Sequence, residues 1–292
     1  MSSTANNKQS GLLELHIAVL LFGGTALFSK LIPLNALNIT ILRCAVAALV
    51  LALIVKASKS KLRLHSSKDY FVAIGLGIVV SLHWVTYFSS MQLSSIAIGM
   101  IAFFTYPVMT VLVEPIFTGN KIKKGDVVSG LIVLLGVILL IPEANLGNDV
   151  TLGIAMGVLS AAFFTARNLL HKRYFSAYSG SKAMFYQTGV AVLFLAPWST
   201  IDTSQIELNV WWLVLLLGVI FTAAPHALFT AALRHLSAKT VSLVSCLQPF
   251  YGAVLALIFL GETLDIKTVI GGVLVVVTAI FETQQSRKQQ KR

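Results

Sequence analysis

Ten apolar runs, each near the roughly 20 residues that a helix needs to cross a bilayer, leave this chain little room for anything else. They begin near Leu12, Ala36, Tyr70, Ile96, Val127, Leu152, Ala183, Val210, Val241 and Ile266. The segments between them are mostly a few residues long, and the longest, KASKSKLRLHSSKD, IPEANLGND and STIDTSQIELN, are too short for a soluble domain. Charged residues make up 11% of the 292, against about 25% in soluble domains. Backbone in hydrocarbon must satisfy its own polar groups, so spans of this kind are helices. The expectation is an all-α integral membrane protein with ten transmembrane helices.

Charge sets its orientation, because cytoplasmic connections are enriched in Lys and Arg. One side receives Lys8, then Lys56, Lys59, Lys61, Arg63 and Lys68, then Lys121, Lys123 and Lys124, then Lys172, Arg173 and Lys182, then Arg234 and Lys239, then the tail SRKQQKR. The other side receives mainly Glu143, Asp149, Asp202, Glu207, Glu262 and Asp265. Both termini are therefore expected in the cytoplasm, and the net charge of +11 is read as membrane topology, with no nucleic-acid partner. Cys44 and Cys246 sit inside apolar runs and imply no disulfide framework. The polar start MSSTANNKQS lacks the charged-then-apolar pattern of a signal peptide, so the first span is expected to direct insertion.

The chain also repeats itself. HWVTYFSSMQLSSIA is echoed by HALFTAALRHLSAKT, with His226 answering His83 and Leu236-Ser237 answering Leu93-Ser94 at one offset. After a one-residue slip Pro249 answers Pro107, Gly261 answers Gly119 and Gly272 answers Gly130; Lys172 likewise answers Lys30. A unit of five spans written twice must enter the membrane from opposite sides, which gives the inverted repeat on which secondary transporters are built. The halves divide at residues 1–142 and 143–292.

These features together, with the Leu-Ser-Ser-Ile-Ala start of the fourth span and the segment LGETLDIKTVIGGVLVVVTAI, resemble the drug/metabolite transporter superfamily, in its ten-helix branch of EamA domains. The resemblance covers nearly the whole chain. It departs at one point: the acidic residue after the signature glycine is Glu262 in the second half, and Asn120 stands there in the first. What it implies is a central cavity surrounded by spans 1–4 and 6–9, peripheral spans 5 and 10, and export of amino acids or other small metabolites in many members.

Polar residues at bilayer depth are costly and usually face a pathway. His83 lies about 20 Å along the third span at 1.5 Å per residue, and His226 lies near the centre of the inverted copy. His83 and Tyr87 share a face at i, i+4 spacing, with Trp84 beside them. In FFTYPVMT and CLQPFYG a proline in mid-span removes a helical hydrogen bond, freeing carbonyls near Phe103 and Ser245 and marking Pro107 and Pro249 as hinges; Tyr106, Gln248 and Tyr251 then offer hydrogen bonds and ring faces. Either Arg43 or Arg167, the latter with Asn168 beside it, could receive a substrate carboxylate; for Arg43 packing is the preferred reading. Glu14, Glu114 and Glu282 stand near cytoplasmic helix ends, where snorkelling is cheap. The glycine pairs Gly23-Gly24, Gly75 and Gly77, Gly130 and Gly136, and Gly271-Gly272 permit close helix approach.

No phosphate loop, zinc-ligand spacing or nucleophile motif is present. The reading is therefore a transporter, with neither enzymatic machinery nor a cofactor, in the bacterial inner membrane. It moves a small organic metabolite by alternating access, an amino acid or related compound in the direction of export, with protons as a candidate coupling ion and a homodimer as a candidate assembly. The alternatives are uptake of an aromatic or vitamin-like metabolite such as a flavin, and a lipid-carrier flippase subunit or membrane scaffold.

Overall fold

The computed structural model describes residues 2–118, 124–139, 148–236, 241 and 244–289. Every element among them is helical. The first half comprises α1 (Ser2–Thr25), the short α2 (Phe28–Leu31), α3 (Ala36–Ala57), α4 (Ser67–Leu93), α5 (Ile96–Phe103), α6 (Tyr106–Thr118) and α7 (Lys124–Ile138). The second comprises α8 (Asp149–Tyr174), α9 (Gly180–Leu195), α10 (Leu208–Gly218), a π-turn (Val219–Ala223), α11 (Ala224–His235), α12 (Gln248–Leu260) and α13 (Ile266–Gln289). Among the described residues six segments are long and apolar enough to cross a membrane, and α7, α12 and α13 hold shorter apolar helices. Gly119, Asn120, Lys121, Lys123, Glu143, Ser237 and Lys239 lie outside the described residues, as do the side chains of Lys8, Arg234, Glu282 and the C-terminal basic tail.

Polar residues at the boundaries fix where helices begin. Asn35 accepts the Asn38 N–H at 2.8 Å, Asn148 accepts that of Thr151 at 2.7 Å and Asp265 accepts that of Thr268 at 2.6 Å. Ser66 and Asp69 form a capping box at the start of α4. Each satisfies an amide that the first turn would otherwise leave without a partner.

The packing repeats between the halves. α4 lies against α8 as α11 lies against α1, and α4 against α9 as α3 lies against α10 and the π-turn; α6 meets α8 as α12 meets α1. Two further pairs, α3 with α9 and α7 with α13, each join an element to its own counterpart, and α5 meets α12, the counterpart of its continuation α6. This is the pattern that an inverted duplication produces. α7 and α13 come together where Gly136 lets the Gly271 carbonyl approach to 3.0 Å of the position a Cβ would occupy, whereas Gly75 faces open space. The outer surface carries Leu49, Phe71 and Leu193, while Arg43, Arg167 and Gln187 are buried, the reverse of a soluble protein.

The basic 57–69 connection folds onto the α8–α9 end of the bundle. His65 stacks on Tyr178 at 4.8 Å and donates its backbone N–H to the Tyr178 hydroxyl, which donates to Asp69 at 2.7 Å. Lys172, Arg173 and Lys182 belong to that same end, with Lys172 paired to Glu114 at 3.7 Å. At the opposite end Lys30 donates to the carbonyls of Gln92 and Ser94.

The signature glycine also has a structural reason. Gly261 closes α12 at φ 66°, in the left-handed region that favours glycine. The turn presents Glu262, whose carboxylate accepts the Ile96 N–H at 3.1 Å and so caps α5 in the other half.

Candidate functional site

A narrow cavity lies where the halves meet, with about 440 Å³ of empty space counting the solvent it opens to. α1 supplies Phe22 and Thr25, α3 Arg43, α4 His83, Trp84 and Tyr87, α5 Phe103, and α6 Tyr106. From the second half come Phe164 on α8, His226 and Phe229 on α11, and Ser245 and Gln248 at the approach to α12. Among the expected residues, His83, Trp84, Tyr87, Phe103, Tyr106, His226 and Gln248 thus meet around one space.

Arg167, Asn168 and Tyr251 do not line it. On α8 the cavity-facing position belongs to Phe164, and Arg167 turns toward α9, where Nε donates to Gln187 Oε1 at 2.8 Å and Nη1 to Asn168 Oδ1 at 3.0 Å. Tyr251 packs on α1, its Cβ 2.7 Å from where a side chain on Gly23 would begin. Only a glycine fits that approach.

Pro107 and Pro249 stand behind the cavity wall, and the helices there are broken rather than bent. Phe104–Thr105 separates α5 from α6, and Cys246–Leu247 is the equivalent turn before α12. Each proline therefore sits in a first turn, where its missing N–H costs nothing. Thr165 of α8 donates to the Tyr106 carbonyl at 3.2 Å and holds the first break in place.

Around His83 the hydrogen bonds form a closed set. Ser160 Oγ donates to the His83 carbonyl at 3.1 Å, and the His83 Nδ1 lies 2.8 Å from that same oxygen. Nδ1 also lies 3.2 Å from the Ser160 carbonyl, which can only accept, so the fitting tautomer carries its proton on Nδ1 and leaves Nε2 as an acceptor. The imidazole packs against Phe164 at 4.9 Å and Phe103 at 5.3 Å. His226 is held differently, between the edges of Phe22 at 4.6 Å and Trp84 at 5.1 Å. The Tyr87 hydroxyl lies beside Gln248 without a well-formed hydrogen bond.

Arg43 was read from the sequence as a packing group, and it does pack: its guanidinium lies 4.6 Å from the Trp84 ring and 4.7 Å from the Phe88 ring. It also forms part of the cavity wall. The π-turn, which the sequence reading did not foresee, stands next to it. Pro225 has no N–H to give the Phe221 carbonyl, and Thr25 Oγ1 donates there at 2.9 Å instead. Thr222 of the same turn lies 3.5 Å from Arg43 Nη1. Phe22, Thr25, Phe164 and Phe229 also went unforeseen. One signal was available for two of them, since Phe22 and Phe164 are related by the offset that relates Pro107 to Pro249.

No group of three metal-ligating side chains occurs among the described residues. The arrangement can surround an apolar body with ring faces, and it can reach polar atoms through Arg43, His83, Tyr87 and Gln248.

Comparison with known proteins bears on this arrangement. The chain is 29% identical over 283 residues to an uncharacterized transporter, YxxF, of Bacillus subtilis, covering 94% of this chain and 89% of that one. It is 27% identical to the threonine/homoserine exporter RhtA of Escherichia coli over 92% of this chain and 89% of that one. It is 25% identical to the pseudopaline exporter CntI of Pseudomonas aeruginosa over 85% and 86%. A crystal structure 17% identical in sequence shares the fold, with a TM-score of 0.68 over 96% of this chain and 99% of that one. The EamA-like transporter family matches twice, over residues 9–141 and 151–283. Through both of these copies, the chain belongs to the EamA-like transporter family.

Proposed function

We propose that the cavity is the substrate site of a secondary transporter that exports a small organic metabolite, an amino acid or related compound, by alternating access. The observation that carries this is the position of the cavity between two halves packed as inverted copies, flanked by the paired breaks before Pro107 and Pro249. Two of the relatives are exporters by name, one of them of threonine and homoserine. In this reading residues 1–142 and 143–292 rock against each other across ten spans with both termini in the cytoplasm. The breaks at Pro107 and Pro249 act as hinges, and His83 or His226 carries a proton if the cycle is proton-coupled.

The test is counterflow of radiolabelled amino acids in proteoliposomes. Saturable exchange that Trp84→Ala abolishes in a well-folded protein supports the reading, and absence of saturable flux for every soluble metabolite tried sinks it in favour of a flippase subunit or scaffold. The density of aromatic rings in the wall favours one second reading, uptake of an aromatic or vitamin-like compound such as a flavin. Net accumulation against a gradient in right-side-out vesicles separates uptake from export.

A further inference from the structure

The geometry points to Arg43 as the receptor for a carboxylate, and to a transported species that is a net anion with an aromatic or apolar body. The inference rests on the cavity being the substrate site.

Arg43 is 1% exposed, and two of its nitrogens, Nε and Nη2, have no hydrogen-bond partner among the described residues. These two share one edge of the planar guanidinium, the edge that grips a carboxylate with two parallel hydrogen bonds. The other directions are occupied: Trp84 and Phe88 lie over the plane, and Nη1 reaches Thr222. What remains is a two-toothed donor edge on a residue of the cavity wall. Buried donors of a charged group are expensive to leave unused, and no carboxylate among the described residues pairs with Arg43. Arg167 is buried to the same extent but spends its Nε on Gln187, so it offers no such edge.

Charge narrows the ligand further. No acidic side chain lines the cavity among the described residues, and its other ionisable groups of neutral pH are His83 and His226. A monoanion cancels the charge of the buried arginine. A zwitterionic amino acid brings in an ammonium for which the wall offers no carboxylate among the described residues, only ring faces, Gln248, the His83 Nε2 and the neutral hydroxyls of Thr25, Tyr87, Tyr106 and Ser245. The surrounding Phe22, Phe103, Phe164 and Phe229 suit an aromatic or apolar body.

Three probes share a ring and differ in charge: phenyllactate, an anion; phenylalanine, a zwitterion; and phenethylamine, a cation. Calorimetric titration of the purified full chain should show phenyllactate binding at least tenfold tighter than phenylalanine, with phenethylamine weakest. Arg43→Gln should weaken phenyllactate by roughly 10- to 100-fold, the worth of hydrogen bonds to a charged group. Arg43→Lys keeps the charge but lacks the two-toothed edge. It should still lose affinity severalfold, which serves as the test if the Gln variant does not fold. Phenylalanine binding as tightly as phenyllactate overturns the net-anion assignment. Unchanged phenyllactate affinity in a folded Arg43 variant overturns the carboxylate receptor, as does a metabolite-library ligand of the wild type that carries no carboxylate. If phenyllactate behaves as expected but no solute shows saturable flux, the transport reading fails and the Arg43 assignment stands.

Discussion

At equivalent positions of the two halves, the first shows the cavity Trp84, Tyr87, Phe103 and Tyr106, where the second has Ala227, Thr230, Ser245 and Gln248. The backbones correspond at the turns before Pro107 and Pro249, yet most of the aromatic load lies on one side, with Phe164 and Phe229 on the other. The histidines repeat the lesson. His83 is clamped by Ser160, whereas the residue of α1 equivalent to Ser160 is Ala18, so His226 lacks that clamp. Duplication supplies two equivalent routes to the centre, and unequal side chains let a bound molecule take one pose there instead of two.

The largest test of this contrast is Trp84→Ala. It removes a ring that touches both His226 and Arg43, and a loss of roughly 3 kcal/mol, about a hundredfold in ligand affinity, is expected. Ser245→Ala, on the sparse side, should change affinity less than threefold. Calorimetric titration of both variants breaks the comparison if the two losses are equal.

Ser160→Ala comes next. It removes the shorter of the two acceptors of the His83 Nδ1–H and leaves the Ser160 carbonyl at 3.2 Å, so about 0.5–1.5 kcal/mol is expected, and thermal unfolding should register a few degrees. Ala18→Ser adds the equivalent hydroxyl near His226, and its transition should stay within a degree of wild type. A shift as large as that of Ser160→Ala would mean that the second half depends on the same kind of clamp.

The prolines test the part that the halves share. Pro107→Ala and Pro249→Ala should slow exchange severalfold and by similar factors while ligand affinity holds, because a hinge alters the interconversion of states and not the bound complex. Stopped-flow flux beside equilibrium titration would show it; parallel loss of flux and affinity would make the breaks part of the binding site.

How much of this was legible in the sequence follows from what hydropathy can and cannot encode. The helices were legible because bilayer length and scarce charge allow little else, and the duplication because His83, Pro107 and Lys30 recur with their neighbours. Polar groups in mid-span stood out against apolar runs, which is why His83, Tyr87, Tyr106 and Gln248 were found. Phenylalanine does not stand out in such runs, so Phe22 and Phe229 were missed. Helix rotation was illegible too, since a span with lipid on one side and protein on the other is apolar all round. Arg167 and Tyr251 were accordingly expected in the cavity, and they face α9 and α1. Arg43 shows the converse, because a role in packing and a place on the wall are compatible.

The smallest effect concerns one of the places where the backbones themselves diverge. In the first half α4 runs unbroken, with Leu82 at the position equivalent to Pro225; in the second, Pro225 follows the π-turn. The proline leaves the Phe221 carbonyl without its α-helical i+4 donor, and the Thr25 hydroxyl donates to it at 2.9 Å. Thr25→Val alone should therefore cost about 0.5–1.5 kcal/mol, the value of one buried hydrogen bond. Pro225→Leu restores an N–H and lets the turn tighten toward an α-helix, after which the Thr25 hydroxyl has less to do. The two substitutions should couple, the double variant losing less than the sum of the singles by about 0.5–1 kcal/mol. Denaturant unfolding in mixed micelles measures the cycle, and hydrogen exchange across residues 219–223 reports whether the turn has tightened. Strict additivity with unchanged exchange would show that Thr25 and the proline act separately, and that the backbone divergence between the halves owes nothing to their pairing.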